Sequence, residues 1–125
     1  MWITLTDSFV SIVEHREDRD LLIVRGRVSG DVSRFLGLPQ RFEVETPDAD
    51  YRFRIVAKRE TVERAVVRAV SRVNYPSFKD AVREPWRKSL AMRVWSIWYG
   101  EQSRRSPMPE NQAPLFEDEF GRLGP

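Results

Sequence analysis

The segment RFEVETPDADYRFRIV, residues 41–56, constrains the fold more than any other part of the chain. Phe42 and Val44 alternate with Arg41, Glu43 and Glu45, while Tyr51, Phe53 and Ile55 alternate with Arg52 and Arg54. Period-two alternation on both sides of a Pro-Asp turn predicts a β-hairpin with one buried face. Pairing Thr46 with Tyr51 sets Glu45 opposite Arg52 and Glu43 opposite Arg54, each pair adding about 0.2–1 kcal/mol. Those four charges therefore have a structural role before any chemistry is assigned to them. Asp48 and Asp50 at the hairpin tip read as turn residues, because an acid/base pair needs two unlike environments and both positions should be wet.

Around this hairpin the first half of the chain reads as strands. WITLT and FVSIVE are β-branched or aromatic runs separated by the turn residues Asp7 and Ser8, and the polar HREDRD leads to a third run, LLIVRGRV. SGDVSRFLG predicts a short helix, capped by Ser29 or Asp31 and ended by Gly37. The second half is helical. In TVERAVVRAVSRV, Val62, Ala65, Val66, Ala69, Val70 and Val73 form a stripe expected to face the sheet. Ser77 opens a short helix with Asp80 three residues on. Pro85 then starts WRKSLAMRVWSIWYG, with Trp86, Leu90, Ala91, Val94, Trp95 and Trp98 on a broad apolar side read as core, and Gly100 as its C-cap.

Beyond Gly100 the periodicity stops, and four of the eight prolines fall in the last 25 residues. The expected fold is α+β: an antiparallel sheet of about five strands with helices packed on one face. Residues 1–100 form the globular domain, and residues 101–125 a proline-rich linker and acidic-hydrophobic tail. A chain of 125 residues fits one domain.

Few chemistries are written into this sequence. With 0 cysteines there is no disulfide, thiolate nucleophile or zinc-thiolate site. His15 is the one histidine, and it lies among Glu14, Glu17, Asp18 and Asp20 in what reads as a solvated turn rather than a metal site. Neither a P-loop, a dinucleotide fingerprint nor a serine-hydrolase elbow is present. These readings lead to the expectation of a non-enzymatic protein with no catalytic residue, cofactor or metal. No stretch approaches 18 apolar residues, and Asp7 and Glu14 fall where a signal peptide is acid-free. A cytoplasmic protein without a membrane segment is expected.

Residues 1–100 carry 18 basic and 14 acidic residues, against 3 and 5 in residues 101–125. The domain is mildly basic and the tail mildly acidic. Arg64, Arg68 and Arg72 recur at four-residue spacing on the helix opposite its valines, and Arg25 and Arg27 share a strand face. A basic stripe of this kind can follow a phosphate backbone, which makes a nucleic-acid-binding accessory protein the alternative function. A solvated helix face is the competing reading.

The blocks MWITLTDSFVSIVEHRED, TPDADYRFR and NYPSFKD…RVWSIWY, in that order, resemble a family of small bacterial proteins. Those begin Met-Trp and carry a TPDADY-like hairpin and an FKD segment. The resemblance covers about residues 1–99. It implies a bacterial, phage or plasmid origin and supplies no catalytic residues. A counter-defence role is compatible with that origin.

The tail lies outside this resemblance and carries its own. Gln112-Ala113-Pro114-Leu115-Phe116 resembles the peptide by which bacterial replication and repair proteins dock on the DNA sliding clamp: a glutamine, two variable residues, then leucine and phenylalanine. Glutamine would bond a polar subsite while Leu115 and Phe116 fill an apolar pocket. Pro114 stands where that pattern often has Ser or Asp. Self-docking is a second reading: a helix started by Pro114 would put Phe116, Phe120 and Leu123 on one side, facing the chain's own domain or a second copy. A tail without a partner is the third. The leading expectation is an interaction or regulatory module whose tail engages a protein partner through Gln112, Leu115, Phe116 and Phe120, with the sliding clamp as candidate.

Overall fold

The computed structural model describes residues 1–106. It divides into two compact units, Met1–Val73 and a second beginning at Asn74. The first unit contains β1 (Trp2–Thr4), β2 (Phe9–Glu14), β3 (Leu21–Gly26), α1 (Asp31–Leu36), a 3-10 turn (Gln40–Phe42), β4 (Val44–Glu45), β5 (Phe53–Lys58) and α2 (Arg59–Ser71). The second contains α3 (Phe78–Ala81) and α4 (Pro85–Arg105).

All five strands form one antiparallel sheet in the order β1-β2-β3-β5-β4. Strand alternation sends Val10, Ile12, Leu22, Val24, Ile55 and Ala57 to one face, where Val32, Phe35 and Leu36 of α1 and Val62 and Ala65 of α2 close the core. This is the expected α+β layering, with both helices of the unit on one side of the sheet. Gly26 permits the close approach of α1, since a Cβ there would meet Val32 Cγ2 at 2.9 Å.

The short helix forms where the sequence places it, and Gly37 ends it at φ 70°. Its N-terminus is capped from a distance, however. Neither Ser29 nor Asp31 caps it. Instead the Glu43 carboxylate accepts the N–H groups of Gly30 (3.0 and 3.1 Å) and Ser33 (3.0 Å), putting a negative charge on the positive end of the helix. Asp31, 1 % exposed, accepts the Phe9 N–H at 3.0 Å and so ties α1 to β2.

That cap shifts the hairpin. Val44 pairs with Arg54 and Glu45 with Phe53, one residue away from the expected register. The 3-10 turn shortens β4 and leads Glu43 back to α1, away from Arg54. A one-residue slip exchanges faces. Val44, expected in the core, is therefore exposed, and so is Phe42, which the 3-10 turn takes out of the strand. The Glu45–Arg52 attraction survives the slip as an ion pair at 2.8 Å.

Both long helices depart from their expected faces. On α2, Val62 and Ala65 are buried, but Val70, at the far end of the same stripe, and Val73, just past the helix, are exposed. On α4, Trp95 is 38 % exposed and Trp98 71 %, so neither ring is the core residue its spacing implies. Gly100 does not end α4. The helix continues to Arg105, where Glu101 bonds Arg104 and Arg105 at i+3 and i+4. Pairs at that spacing support a helical turn, and cations complement its C-terminus.

Candidate functional site

The face of the sheet turned away from α1 and α2 gathers four arginines, Arg25, Arg27, Arg52 and Arg54. Cross-strand pairing runs Trp2, Ser11, Arg25, Arg54, Val44 in one row from β1 to β4. Row neighbours are about 4.5–5.5 Å apart, and like charges directly opposite destabilise the pair. Arg25 and Arg54 nevertheless stand side by side at the centre of the row.

Tyr51 organises them. Its ring, 4 % exposed, lies 4.4 Å from the Arg25 guanidinium carbon and 4.1 Å from that of Arg27, and its carbonyl accepts a bond from Arg54 Nη2 at 3.1 Å. Ser11 Oγ accepts from Arg25 Nη2 at 2.8 Å. Two outer arginines are charge-balanced, Arg27 by Asp50 at 3.3 Å and Arg52 by Glu45. Among the described residues, Arg25 and Arg54 are not. Their Nε atoms are buried and have no acceptor among those residues, a state uncommon in folded proteins and costly for a charged group.

The other arginines singled out by spacing lie elsewhere. Arg64 and Arg72 are exposed on α2, which packs on the opposite side of the sheet from Arg25 and Arg27. Arg68, between them, is drawn inward and donates to the Leu36 carbonyl at 3.0 Å, satisfying the C-terminus of α1. The five arginines therefore do not form one footprint. Ser11, Tyr51 and Arg54 were missed as members of the sheet-face group. Arg54 shows the one available signal, its alternation on the same face as Arg52, but its pairing with Arg25 joins strands about 30 residues apart in the chain, beyond the reach of local periodicity.

The second feature is α4 itself. Trp86, Leu90, Met92, Val94, Trp95, Ile97 and Trp98 are all exposed, Ile97 and Trp98 by 71 % each. Trp95 stacks on Tyr99 with centroids 5.2 Å apart. The helix is about 30 Å long and carries five basic residues (Arg87, Lys88, Arg93, Arg104, Arg105) against one acid, Glu101. Bonds from Arg104 and Arg105 hold the Glu101 carboxyl below its ordinary pKa. Arg87, 7 % exposed, lies against the Trp86 ring and bonds Glu84 at 2.9 Å.

His15 accepts the Glu17 N–H at 3.2 Å within its turn, and Asp50 is occupied by Arg27. Gln112, Leu115, Phe116 and Phe120 lie outside the described residues.

Fold and faces define an α+β protein with an antiparallel five-stranded sheet, a basic sheet face and an apolar, basic helix. Comparisons with family models, curated proteins and solved structures find nothing that matches the chain.

Proposed function

We propose that this chain is a non-enzymatic interaction module that binds a protein partner through α4 and the tail that follows it. The observation that carries the reading is the exposure of the large apolar side chains of α4. Together they present on the order of 700 Å², close to one partner's share of a standard interface, and aromatic anchors dominate such surfaces. Monomers seldom leave so many large apolar side chains exposed on one helix without a use for them.

The partner we infer is the DNA sliding clamp, engaged by Gln112, Leu115 and Phe116. Only six residues separate the end of α4 from Gln112, so helix and peptide can reach one partner together, each raising the effective concentration of the other. The excess of basic residues on α4 calls for an acidic surface beside the peptide pocket. A symmetric pairing of two α4 helices fits less well, because antiparallel packing would set Arg87 and Lys88 against Arg104 and Arg105.

Calorimetric titration of the full chain into purified clamp tests this. Wild-type protein should bind, Leu115→Ala with Phe116→Ala should abolish binding, and Trp98→Ala should weaken it about tenfold. Absence of binding by the wild type, or binding indifferent to the tail variants, rejects the clamp as partner.

A further inference from the structure

Arg25 and Arg54 are held in place by their neighbours while their Nε–H groups have no acceptor among the described residues. Arg25 is fixed by Ser11 Oγ and by the Tyr51 ring, and Arg54 by the Tyr51 carbonyl. Stacking occupies the flat face of a guanidinium and leaves its in-plane N–H groups to make hydrogen bonds. Both Nε atoms are closed to solvent, however, so an anion reaches them only when a neighbouring side chain moves aside. Neither arginine forms an ion pair among the described residues, although the arginines on either side of them, Arg27 and Arg52, both do. A fold that sets two like charges opposite each other and buries two unpaired donors has a local excess of positive charge that an anion would relieve.

We propose that Arg25 and Arg54 form a phosphate-binding site on the face of the sheet opposite α1 and α2. A carboxylate brings one charge and is satisfied by a single guanidinium fork. Two forks side by side suit the greater charge and additional oxygens of a phosphate group. Arg27, over the same tyrosine, extends the basic surface towards the end of β3. Trp2, 70 % exposed at the β1 end of the same row, places an aromatic ring two strands from Arg25. Two sources supply the chemistry: a single-stranded nucleic acid crossing the sheet, its base on Trp2, or a free phosphate ion. This site shares no residue with α4 or the tail, and it stands or falls apart from the clamp reading.

The test is a nuclear magnetic resonance titration of the isotope-labelled full chain, following the arginine Nε–Hε resonances. Inorganic phosphate is one titrant and a short single-stranded oligothymidylate the other. Arg25 and Arg54 should shift together and saturate. Arg52 and Arg59, whose Nε–H groups already donate to Glu45 and to the Arg19 carbonyl, serve as internal references and should not move. Saturation by the oligonucleotide at about tenfold lower concentration, lost on adding salt, identifies a strand as the ligand. Saturation by phosphate at equal or lower concentration identifies the free ion. Arg25→Lys and Arg54→Lys, which keep charge but lose the fork, should each weaken binding about tenfold. The proposal is overturned if Arg25 and Arg54 stay still with both titrants, or if all four arginines drift together with ionic strength, as water-satisfied side chains would.

Discussion

Replacing Glu43 should damage the fold well beyond the loss of one surface charge. Its carboxylate is the acceptor for the N–H groups of Gly30 and Ser33, two buried residues at the start of α1. Glu43→Ala removes both acceptors and the charge that complements the helix dipole. A lost cap alone costs about 0.5–2 kcal/mol, and a hydrogen bond to a charged group about 1.5–3. Glu43 is itself only partly buried, so water recovers some of this, and the expected net loss is about 2–4 kcal/mol. Domains of this size have about 5–15 kcal/mol to lose. In urea the midpoint should fall by about 1–2 M at unchanged slope. Glu43→Gln keeps one carbonyl oxygen as acceptor and should fall between the two. A midpoint for Glu43→Ala within about 0.5 kcal/mol of wild type would refute the distant cap, and with it the explanation of the hairpin register.

Further perturbations test separate parts of the structure. Gly26→Ala should destabilise by about 1–3 kcal/mol in the same urea assay, because the added methyl meets Val32 Cγ2. Trp98→Ala should change thermal stability by less than about 1 kcal/mol, whereas a buried tryptophan would cost about 3–5. Because the folded-state pKa of Glu101 is lowered, its contribution to the last turn of α4 is complete above the ordinary carboxylate value. It declines as pH falls through the lowered value and is absent below it. Protection factors over residues 101–105, corrected for the intrinsic pH dependence of exchange, should therefore fall in acid, and Glu101→Gln should already show lower protection at neutral pH.

How far the sequence speaks depends on how local the cause is. The positions of β2, β3 and β5 follow from alternation over a few residues, and Gly37 ends α1 because only the chain around it is involved. The hairpin register is a different case. It is set by Glu43, whose preference for the N-terminus of α1 outweighs an ion pair with Arg54, and no window around residues 41–56 contains that competition. The row that places Arg25 beside Arg54 likewise depends on β3 and β5 becoming neighbours. On α4 the spacing of Trp86, Leu90, Val94, Trp95 and Trp98 is that of a packed face. Periodicity tells where apolar side chains point, not what covers them. Gly100 misleads for a related reason, since the bonds that Arg104 and Arg105 donate to Glu101 carry the helix past a residue that elsewhere would end it.

Hydrogen exchange of the full chain with and without purified sliding clamp tests the proposed function most directly. The account expects protection at two places, the tail around Gln112–Phe116 and the stretch of α4 around Ile97 and Trp98, with residues 1–73 unchanged. Exchange that is the same with and without clamp at both places would contradict it.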